Sequence, residues 1–527
     1  MKKKKQGFFY GAAILAFAGV AVKVIGACYK IPLGNLLGPV GMADFSIAYN
    51  IYTLLFVLST AGIPSAVSKM VSEAESKKDD GYAFRIYKVS CFTFAAVGMA
   101  GFSVMFFGAD MLAELMGSKS AALSIKAISP AVMFVCISAI NRGYFQGKSN
   151  MYPTAVSEIL EALGKLLFGI AAAIYMRFLG FDSAVISAGA IFGVSVGAFL
   201  SALFFCFCRE GKKDKVTVSD ESEGKIIRKL FSLAIPITAG AAIISVGNVV
   251  DSALVMKLLQ GSGFSEYRAK WLFGAYNYAV TLFNLPSVFT TTLAISAIPA
   301  ISFAFAKGDK SEVNKLANSA MTIGMTVAFP AAFGLLALSE EVMSLLYGRN
   351  VSSLCLEASS LILGYLCFAI PFLTIVTVTN SIHQSLGSVH IPVISGALGV
   401  AVKIVSNILF VSRVEINILG AAISTVLCYG TIAAINVGTL KRYDFIKIEI
   451  TKVFIKPFLP GVVSYVAAET ASSLTRTAFG FCFSTVFSVF AGFLMCLVTF
   501  FAVGIVQVKG KSVYFGGESI SKFLNND

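Results

Sequence analysis

Apolar runs of about 20 residues or more recur along almost the whole chain, and each can cross about 30 Å of hydrocarbon as a helix. Because 57% of the 527 residues are hydrophobic and 13% are charged, a soluble domain of this size would expose large apolar patches. We therefore predict an all-α polytopic membrane protein with about fourteen transmembrane helices. The predicted spans are 8–30, 42–68, 84–107, 121–145, 152–178, 183–208, 228–257, 271–305, 312–338, 354–382, 390–411, 417–440, 453–474 and 480–507.

The basic residues sort by side of the membrane. The formal net charge is +14, which in a soluble protein would suggest nucleic-acid binding, but here most lysines and arginines lie in alternate loops, as the positive-inside rule requires. Met1–Lys5 precedes an apolar run that continues past Lys23 without a clear cleavage site, so this run is predicted to be a retained helix and no secretory signal. We predict a cytoplasmic-membrane protein with both termini cytoplasmic. The residues assigned to the cytoplasmic side include Arg142 and Lys148, and those of 209–229.

An internal repeat relates the two halves of the chain. Ala48–Asn50 and Ala275–Asn277 share the sequence Ala-Tyr-Asn, and each opens an apolar run that reaches an Ile-Pro pair, Ile63–Pro64 and Ile298–Pro299. A second echo, in the fourth and tenth spans, places an asparagine twelve residues before a proline in both halves, at 141 and 153 and at 380 and 392. Spans 1–6 therefore resemble spans 7–12.

Because each repeat contains an even number of spans, both copies enter the membrane from the same side. The two copies are therefore related by an axis along the membrane normal. We predict two six-helix lobes in a pseudo-twofold parallel repeat, plus two appended helices. The predicted domains are an N-lobe at 1–208, a cytoplasmic linker at 209–229, a C-lobe at 230–440, and helices 13 and 14 with a cytoplasmic tail at 441–527.

Ionisable residues inside the spans are the candidate site. Each costs about 2.5–3.5 kcal/mol at mid-bilayer on insertion scales, so such residues should face a cavity or a partner. Glu158, Glu161 and Lys165 follow i, i+3 and i+7 spacing and form one stripe on the fifth span. We predict that the following residues line a polar cavity between the lobes: Lys23, Lys30, Asp44, Asn50, Glu158, Glu161, Lys165, Asp251, Asn277 and Lys403.

A purely structural interpretation of these charges stays open. Glu161 and Lys165 have the i, i+4 order that favours a pair on one helix, and Asp251 would then neutralise one of the lysines. The asparagines would bond across helices instead of binding sugar hydroxyls.

The chain offers little for catalysis or metal binding. The ten cysteines are dispersed, mostly in apolar segments where they act as small hydrophobes, and no metal-ligand spacing is present. His383 and His390 are the only two histidines, so acid–base groups are scarce. We expect no enzymatic activity, no metal and no cofactor.

Two segments resemble a known family. Lys30–Gly34 through Ser59–Lys69, and then Arg142–Gly147 with Met151–Glu158, resemble the stage V sporulation protein B branch of polysaccharide flippases. That branch belongs to the multidrug/oligosaccharidyl-lipid/polysaccharide exporter superfamily and is related to the lipid II flippases of peptidoglycan synthesis.

The resemblance implies two lobes around a cationic cavity, alternating access, and a groove for the lipid tail at the last two helices. It also implies that Lys30, Asp44 and Asp251 are cavity charges and that Glu158 and Glu161 are fifth-helix acids. Lipid II flippases carry arginines in the first, second and eighth helices, whereas 42–68 here contains no arginine. This difference weakens the assignment of lipid II itself as the substrate.

The expected function is therefore translocation of an undecaprenyl-linked saccharide or a lipid II-like precursor, in cell-wall, spore-cortex or polysaccharide biogenesis. The expected protein is a monomer among membrane lipids, coupled to H⁺, Na⁺ or the membrane potential. Two alternatives are kept: a cation-coupled multidrug exporter of the same superfamily, and a membrane-embedded glycan enzyme.

Overall fold

The computed structural model describes residues 8–77, 79–208, 222–479 and 481–503, and three short strands in the tail. In the described residues the α-helices are α1 (Phe8–Thr60), α2 (Ile63–Ser76), α3 (Asp80–Phe107), α4 (Ala109–Leu115), α5 (Ala121–Gly147), α6 (Tyr152–Phe178), α7 (Ser183–Phe207), α8 (Glu223–Gly261), α9 (Glu266–Phe283), α10 (Leu285–Ala306), α11 (Lys310–Ala337), α12 (Ser339–Tyr347), α13 (Ser353–Cys367), α14 (Ala369–Ser385), α15 (His390–Phe410), α16 (Leu419–Leu440), α17 (Lys456–Phe479) and α18 (Phe481–Ala502). A π-helical turn, Thr451–Ile455, precedes α17. The predicted helical membrane protein is confirmed.

The tail adds a small sheet that the sequence did not predict. Strands β1 (Val506–Lys509), β2 (Ser512–Phe515) and β3 (Glu518–Ser519) pair antiparallel in the order β1-β2-β3. Most of the predicted linker, residues 209–221, lies outside the described residues, and its last residues from Glu223 onward are already helical in α8.

The described helices are consistent with fourteen spans. Eleven of them are long and apolar enough to cross a membrane, and α13 with α14, bent by 46°, make a twelfth. One of the eleven is the 60-residue region Phe17–Ser76, which is long enough for two crossings. The predicted thirteenth span, α17, carries Glu469 and Arg476 with several serines and threonines, and these lower its hydropathy below that of the others.

Prolines mark breaks within several spans. Pro64 and Pro286 lie in the first turn of α2 and α10, and Pro371 is the third residue of α14. Each of these helices follows directly on another helix of the same predicted span. A proline is tolerated in a first turn because the amide hydrogen there has no helical acceptor.

Helix α1 is broken at Gly38, where φ is 67° and ψ is 176°. This conformation is open almost only to glycine, and Pro39 follows it. Arg177 satisfies the carbonyl groups just before the break, donating from Nη1 to the oxygens of Asn35 at 3.0 Å and Leu36 at 3.3 Å. The break divides α1 into two helical parts, one on each side of Gly38, which is consistent with the separate predicted spans 8–30 and 42–68.

By packing, the chain forms two compact units, residues 1–274 and 275–527. In the first unit, the apolar face of α2, with Val67 and Met70, packs with Ile86 of α3 and Leu230 of α8. In the second unit, Phe458 of α17 packs edge-on against Phe329 and Phe333 of α11, with ring centroids 5.4 Å apart in both pairs. The predicted division at 209–229 follows the repeat and stays a prediction.

The order of elements repeats in the two halves. α3 and α11 are each capped by an aspartate, Asp79 and Asp309, whose carboxylate accepts a hydrogen bond from the amide three residues on, at 2.8 and 3.0 Å. Each of the two helices is followed by a short helix, α4 or α12. The local structure therefore supports the sequence repeat.

Candidate functional site

Three of the predicted site residues lie on one stripe of α6, in the first unit. Glu161 accepts an ion-paired hydrogen bond from Arg142 of α5, with Nη2 2.7 Å from Oε2, and these side chains are only 21% and 11% exposed. Arg142 also donates from Nη2 to the Ser201 hydroxyl at 3.1 Å and from Nε to the Ser157 hydroxyl at 3.0 Å. The arginine is thus held by α6 and α7 together.

The alternative that Glu161 pairs with Lys165 is therefore wrong. Arg142, which the sequence assigned to the cytoplasmic side, turns its side chain inward five residues before α5 ends, and its side of the membrane stays a prediction. A buried guanidinium needs a carboxylate and further acceptors to offset its desolvation, and α6 and α7 supply them.

Lys165 and Lys30 each lie over a tyrosine ring. Nζ of Lys165 is 5.5 Å from the ring centroid of Tyr29, and Nζ of Lys30 is 5.4 Å from that of Tyr49. Tyr49 is within electrostatic range of both lysines, and the lysines are within range of each other. These four residues are termed the lysine–tyrosine cluster.

The rings of the cluster are fixed by their own contacts. The Tyr29 hydroxyl donates to the carbonyl oxygen of Ala190 in α7 at 2.8 Å, and Phe45 stacks on Tyr49 with centroids 5.8 Å apart. Tyr29 precedes the break in α1 and Tyr49 follows it. The break at Gly38 thus brings both parts of α1 to α6.

The two ammonium groups of the cluster have no acidic partner. Within the part of the chain that the structure describes, no carboxylate oxygen lies within 4.0 Å of Nζ of Lys30 or Lys165. Aromatic rings attract a cation by about 0.5–2 kcal/mol, which is less than a half-buried ammonium loses on leaving water. The cluster is therefore suited to bind an anion.

Close contact between α6 and α7 sets the position of the stripe. A Cβ atom added at Gly197 would lie 2.3 Å from the carbonyl oxygen of Glu161, and one at Gly193 would lie 2.4 Å from Cα of Gly169. Small residues allow such backbone approach in membrane helices. The glycines of α7 thus hold the site side chains of α6.

We expect Gly197→Ala to destabilise the protein by about 1–3 kcal/mol, because the new methyl group forces α7 away from α6. Thermal unfolding in detergent measures the change. It is monitored with a fluorogenic dye that reacts with buried thiols, such as those of Cys136 and Cys428, once they become accessible. Gly26→Ala is the control: nothing lies within 4 Å of an added Cβ there, and alanine favours a helix. Equal Tm values for the two variants would contradict the packing role of Gly197.

Asp44 lies in a closed network of its own. It is fully buried and forms an ion pair with Lys270 of α9 at 2.9 Å. Its carboxylate also accepts hydrogen bonds from Ser118 and Ser120, both at 2.7 Å, and Lys270 donates to Ser120 as well. Both carboxylate oxygens of Asp44 thus already have partners within the protein, which favours a structural role for Asp44 over contact with a substrate.

Asn50 and Asp251 lie where α1 meets α8. Asn50 donates from Nδ2 to the hydroxyl of Ser252 at 2.7 Å, and the Ser252 hydroxyl donates to the carbonyl oxygen of Asn248 at 2.9 Å. Asp251, next to Ser252, is buried. A cross-helix role for Asn50, one of the alternatives kept from the sequence, is thus supported.

The remaining predicted residues are spread over both units. Lys23 is half-buried on α1, seven residues before Lys30 and on the same helical face. Glu158 is half-buried on α6. Asn277 and Lys403 belong to the second unit, so their part in a common site stays a prediction.

Sequence reasoning missed Arg142, Lys270 and the tyrosines Tyr29 and Tyr49 as site components. Lys270 stands one residue before a predicted span, where a charge looks like a loop residue. Tyr49 belongs to the repeated Ala-Tyr-Asn motif, and that repetition was the one available signal. The hydroxyl of its counterpart, Tyr276, lies 3.2 Å from the hydroxyl of Thr425.

Comparisons with known proteins agree with this architecture. A family model described as "Polysaccharide biosynthesis protein" matches residues 8–305, and a model described as "MatE" matches residues 236–409. The lipid II flippase MurJ of Bacillus subtilis (strain 168) is 28% identical over 438 residues, which cover 80% of each chain. Stage V sporulation protein B of the same organism is 25% identical and covers 85% of this chain and 86% of its own. The solved structure "Lipid II flippase MurJ, inward closed conformation" covers 93% of this chain and 96% of its own with a TM-score of 0.69 at 17% identity, which shows a shared fold.

Proposed function

The chain belongs to the polysaccharide biosynthesis protein family, whose model matches residues 8–305, and we propose that it is a flippase for a lipid-linked saccharide precursor. The membership confirms the resemblance that 30–69 and 142–158 indicated. Relatives named as a lipid II flippase and as a sporulation protein support a precursor of cell-wall, spore-cortex or polysaccharide synthesis.

One observation carries the proposal: the lysine–tyrosine cluster presents two ammonium groups without a carboxylate partner among the described residues. A diphosphate group would supply the negatively charged partner that these two lysines do not have among the described carboxylates. Lysines bind phosphate as point charges. The tyrosine rings hold each ammonium in place before the anion arrives. The lipid chain remains in the bilayer while the charged head binds.

Transport needs no bond to be made or broken. The cluster binds the head when it is open to one side of the membrane and releases it when it is open to the other. A transmembrane potential acts on the bound charges with about 2.3 kcal/mol per charge per 100 mV, and H⁺ or Na⁺ coupling is the alternative energy source. We place the protein in the cytoplasmic membrane as a monomer, with both termini cytoplasmic.

Reconstitution tests the proposal directly. Fluorescent lipid-linked saccharides are placed in both leaflets of proteoliposomes, and a membrane-impermeant quencher is added outside. We expect the fluorescence of the inner-leaflet probe to be quenched faster in vesicles that contain the protein than in protein-free vesicles. Several glycan heads, with and without an ion gradient, identify the substrate and the energy source. If the probe is chemically unchanged after transport, the protein acts as a flippase; an altered glycan would indicate a glycan enzyme. Failure to move any of the lipids would contradict the proposal.

A cation-coupled multidrug exporter is the second candidate, because the MatE model matches residues 236–409. An exporter of cationic drugs requires an acidic site, whereas the lysine–tyrosine cluster repels cations. Lys30→Gln should therefore impair a flippase and spare an exporter. Drug efflux that survives this substitution, without movement of any lipid-linked saccharide, would reverse the ranking.

A further inference from the structure

Glu158 is a half-buried carboxylate that the proposed anion site does not use. It lies on α6, one turn before Glu161 and on the same stripe. In the part of the chain that the structure describes, neither a hydrogen bond nor an ion pair reaches its side chain. It is within electrostatic range of Arg142 and Glu161.

The cation in electrostatic range of Glu158, Arg142, is already engaged. Arg142 binds Glu161 at 2.7 Å and donates to Ser157 and Ser201. Two carboxylates therefore share one guanidinium charge, and one negative charge is left over. A pair of carboxylates at close range ionises in two coupled steps and tends to retain one proton.

Among the described residues, the other elements packed on α6 bring no ion-pair partner within 4.0 Å of Glu158. α1 brings Lys30 with Tyr49 and Tyr52, but Lys30 lies over the ring of Tyr49. Lys165 lies two turns further along α6, over Tyr29. α7 has no Asp, Glu, Lys, Arg or His between its ends. An unpaired carboxylate in such surroundings is stabilised by taking up a proton.

We propose that Glu158 is a proton-binding site linked to the lysine–tyrosine cluster, and that an anionic head bound there is carried together with one proton. This inference rests on the proposed function. A proton from water adds to a carboxylate oxygen of Glu158 when the head binds, and it returns to water on the other side when the head leaves. No other bond changes.

The sign of the linkage follows from charge. Protonation of Glu158 removes one negative charge from the stripe of α6 that also carries Lys165, so the anion binds the lysine–tyrosine cluster more tightly. By reciprocity, the bound anion increases the proton affinity of Glu158 by the same factor. Binding of the head should therefore strengthen as the pH falls.

The test measures binding of farnesyl-diphosphoryl-N-acetylglucosamine to the full chain in nanodiscs between about pH 5.5 and 8.5. This diphosphate diester keeps its charge of −2 over that range, so a pH dependence reports on the protein. For the natural chain we expect affinity to fall with rising pH by about fivefold or more. Glu158→Gln should bind with the low-pH affinity at every pH, and Glu158→Asp should keep the slope.

Proton uptake is the second measurement. In weakly buffered solution, adding the probe should withdraw protons from the medium with the natural chain and Glu158→Asp, and withdraw none with Glu158→Gln. A slope or an uptake that persists in folded Glu158→Gln would overturn the inference, as would pH-independent binding by the natural chain. Absence of binding at all pH values, or equal binding by Lys30→Gln/Lys165→Gln, would instead overturn the proposed function on which the inference rests.

Discussion

Replacing both lysines of the cluster, as Lys30→Gln/Lys165→Gln, is expected to reduce the rate of lipid-linked saccharide translocation by about 100-fold or more. A hydrogen bond to a charged group contributes about 1.5–3 kcal/mol, and each 1.4 kcal/mol is a factor of ten. Each single substitution should therefore reduce the rate by about tenfold or more. The proteoliposome quenching assay measures these rates.

The matched control for the lysine substitutions is Lys119→Gln. Lys119 is 78% exposed, and its ammonium group is 4.0 Å from Glu114, so its removal should leave translocation unchanged. Lys30→Arg keeps the charge and should retain more activity than Lys30→Gln. If a correctly folded double variant flips at the natural rate, the cluster does not bind the substrate.

Asp44→Asn is expected to lower the free energy of unfolding by about 3–5 kcal/mol, because it leaves the ammonium of Lys270 buried without its carboxylate. The side chains of Asp44 and Lys270 are 0% and 8% exposed. Thermal unfolding in detergent should show a large decrease in Tm. The variant Asp44→Asn/Lys270→Met removes both charges and should recover most of the loss.

Asp110→Asn provides the control for burial. Asp110 forms an ion pair with Lys126 at the same distance of 2.9 Å, but these side chains are 74% and 37% exposed. Exposed pairs contribute about 0–1 kcal/mol, so Tm should hardly change. An equal loss for Asp110→Asn and Asp44→Asn would show that burial of the pair is not the cause.

Helix content, the approximate span count and the two-half organisation were predictable because they depend on local pattern. An apolar run of membrane length and a repeated Ala-Tyr-Asn motif can be read along the chain. The breaks at Pro64, Pro286 and Pro371 were only partly predictable: each proline was visible, but the sequence did not show that it would start a new helix and not bend an existing one.

Only some residues of the candidate site could be named from the sequence, and their contacts could not. Helical periodicity correctly placed Glu158, Glu161 and Lys165 on one stripe of α6. It could not show that Glu161 would bind Arg142 of α5, or that Lys165 would lie over Tyr29 of α1. Arg142 looked like a topology residue because its position near the end of a span is all that a hydropathy pattern records.

The sequence by itself determined that this chain is a helical membrane protein with a repeated architecture and with charges buried in its first half. The length of an apolar run and the periodicity of its residues are properties of a single helix, so they can be recognised from the sequence alone. Only the tertiary structure decided which charges pair and which stay available to a ligand. Those choices depend on how helices rotate and approach, here through the break at Gly38 and the glycine contacts of α7, and such contacts join residues far apart in the chain.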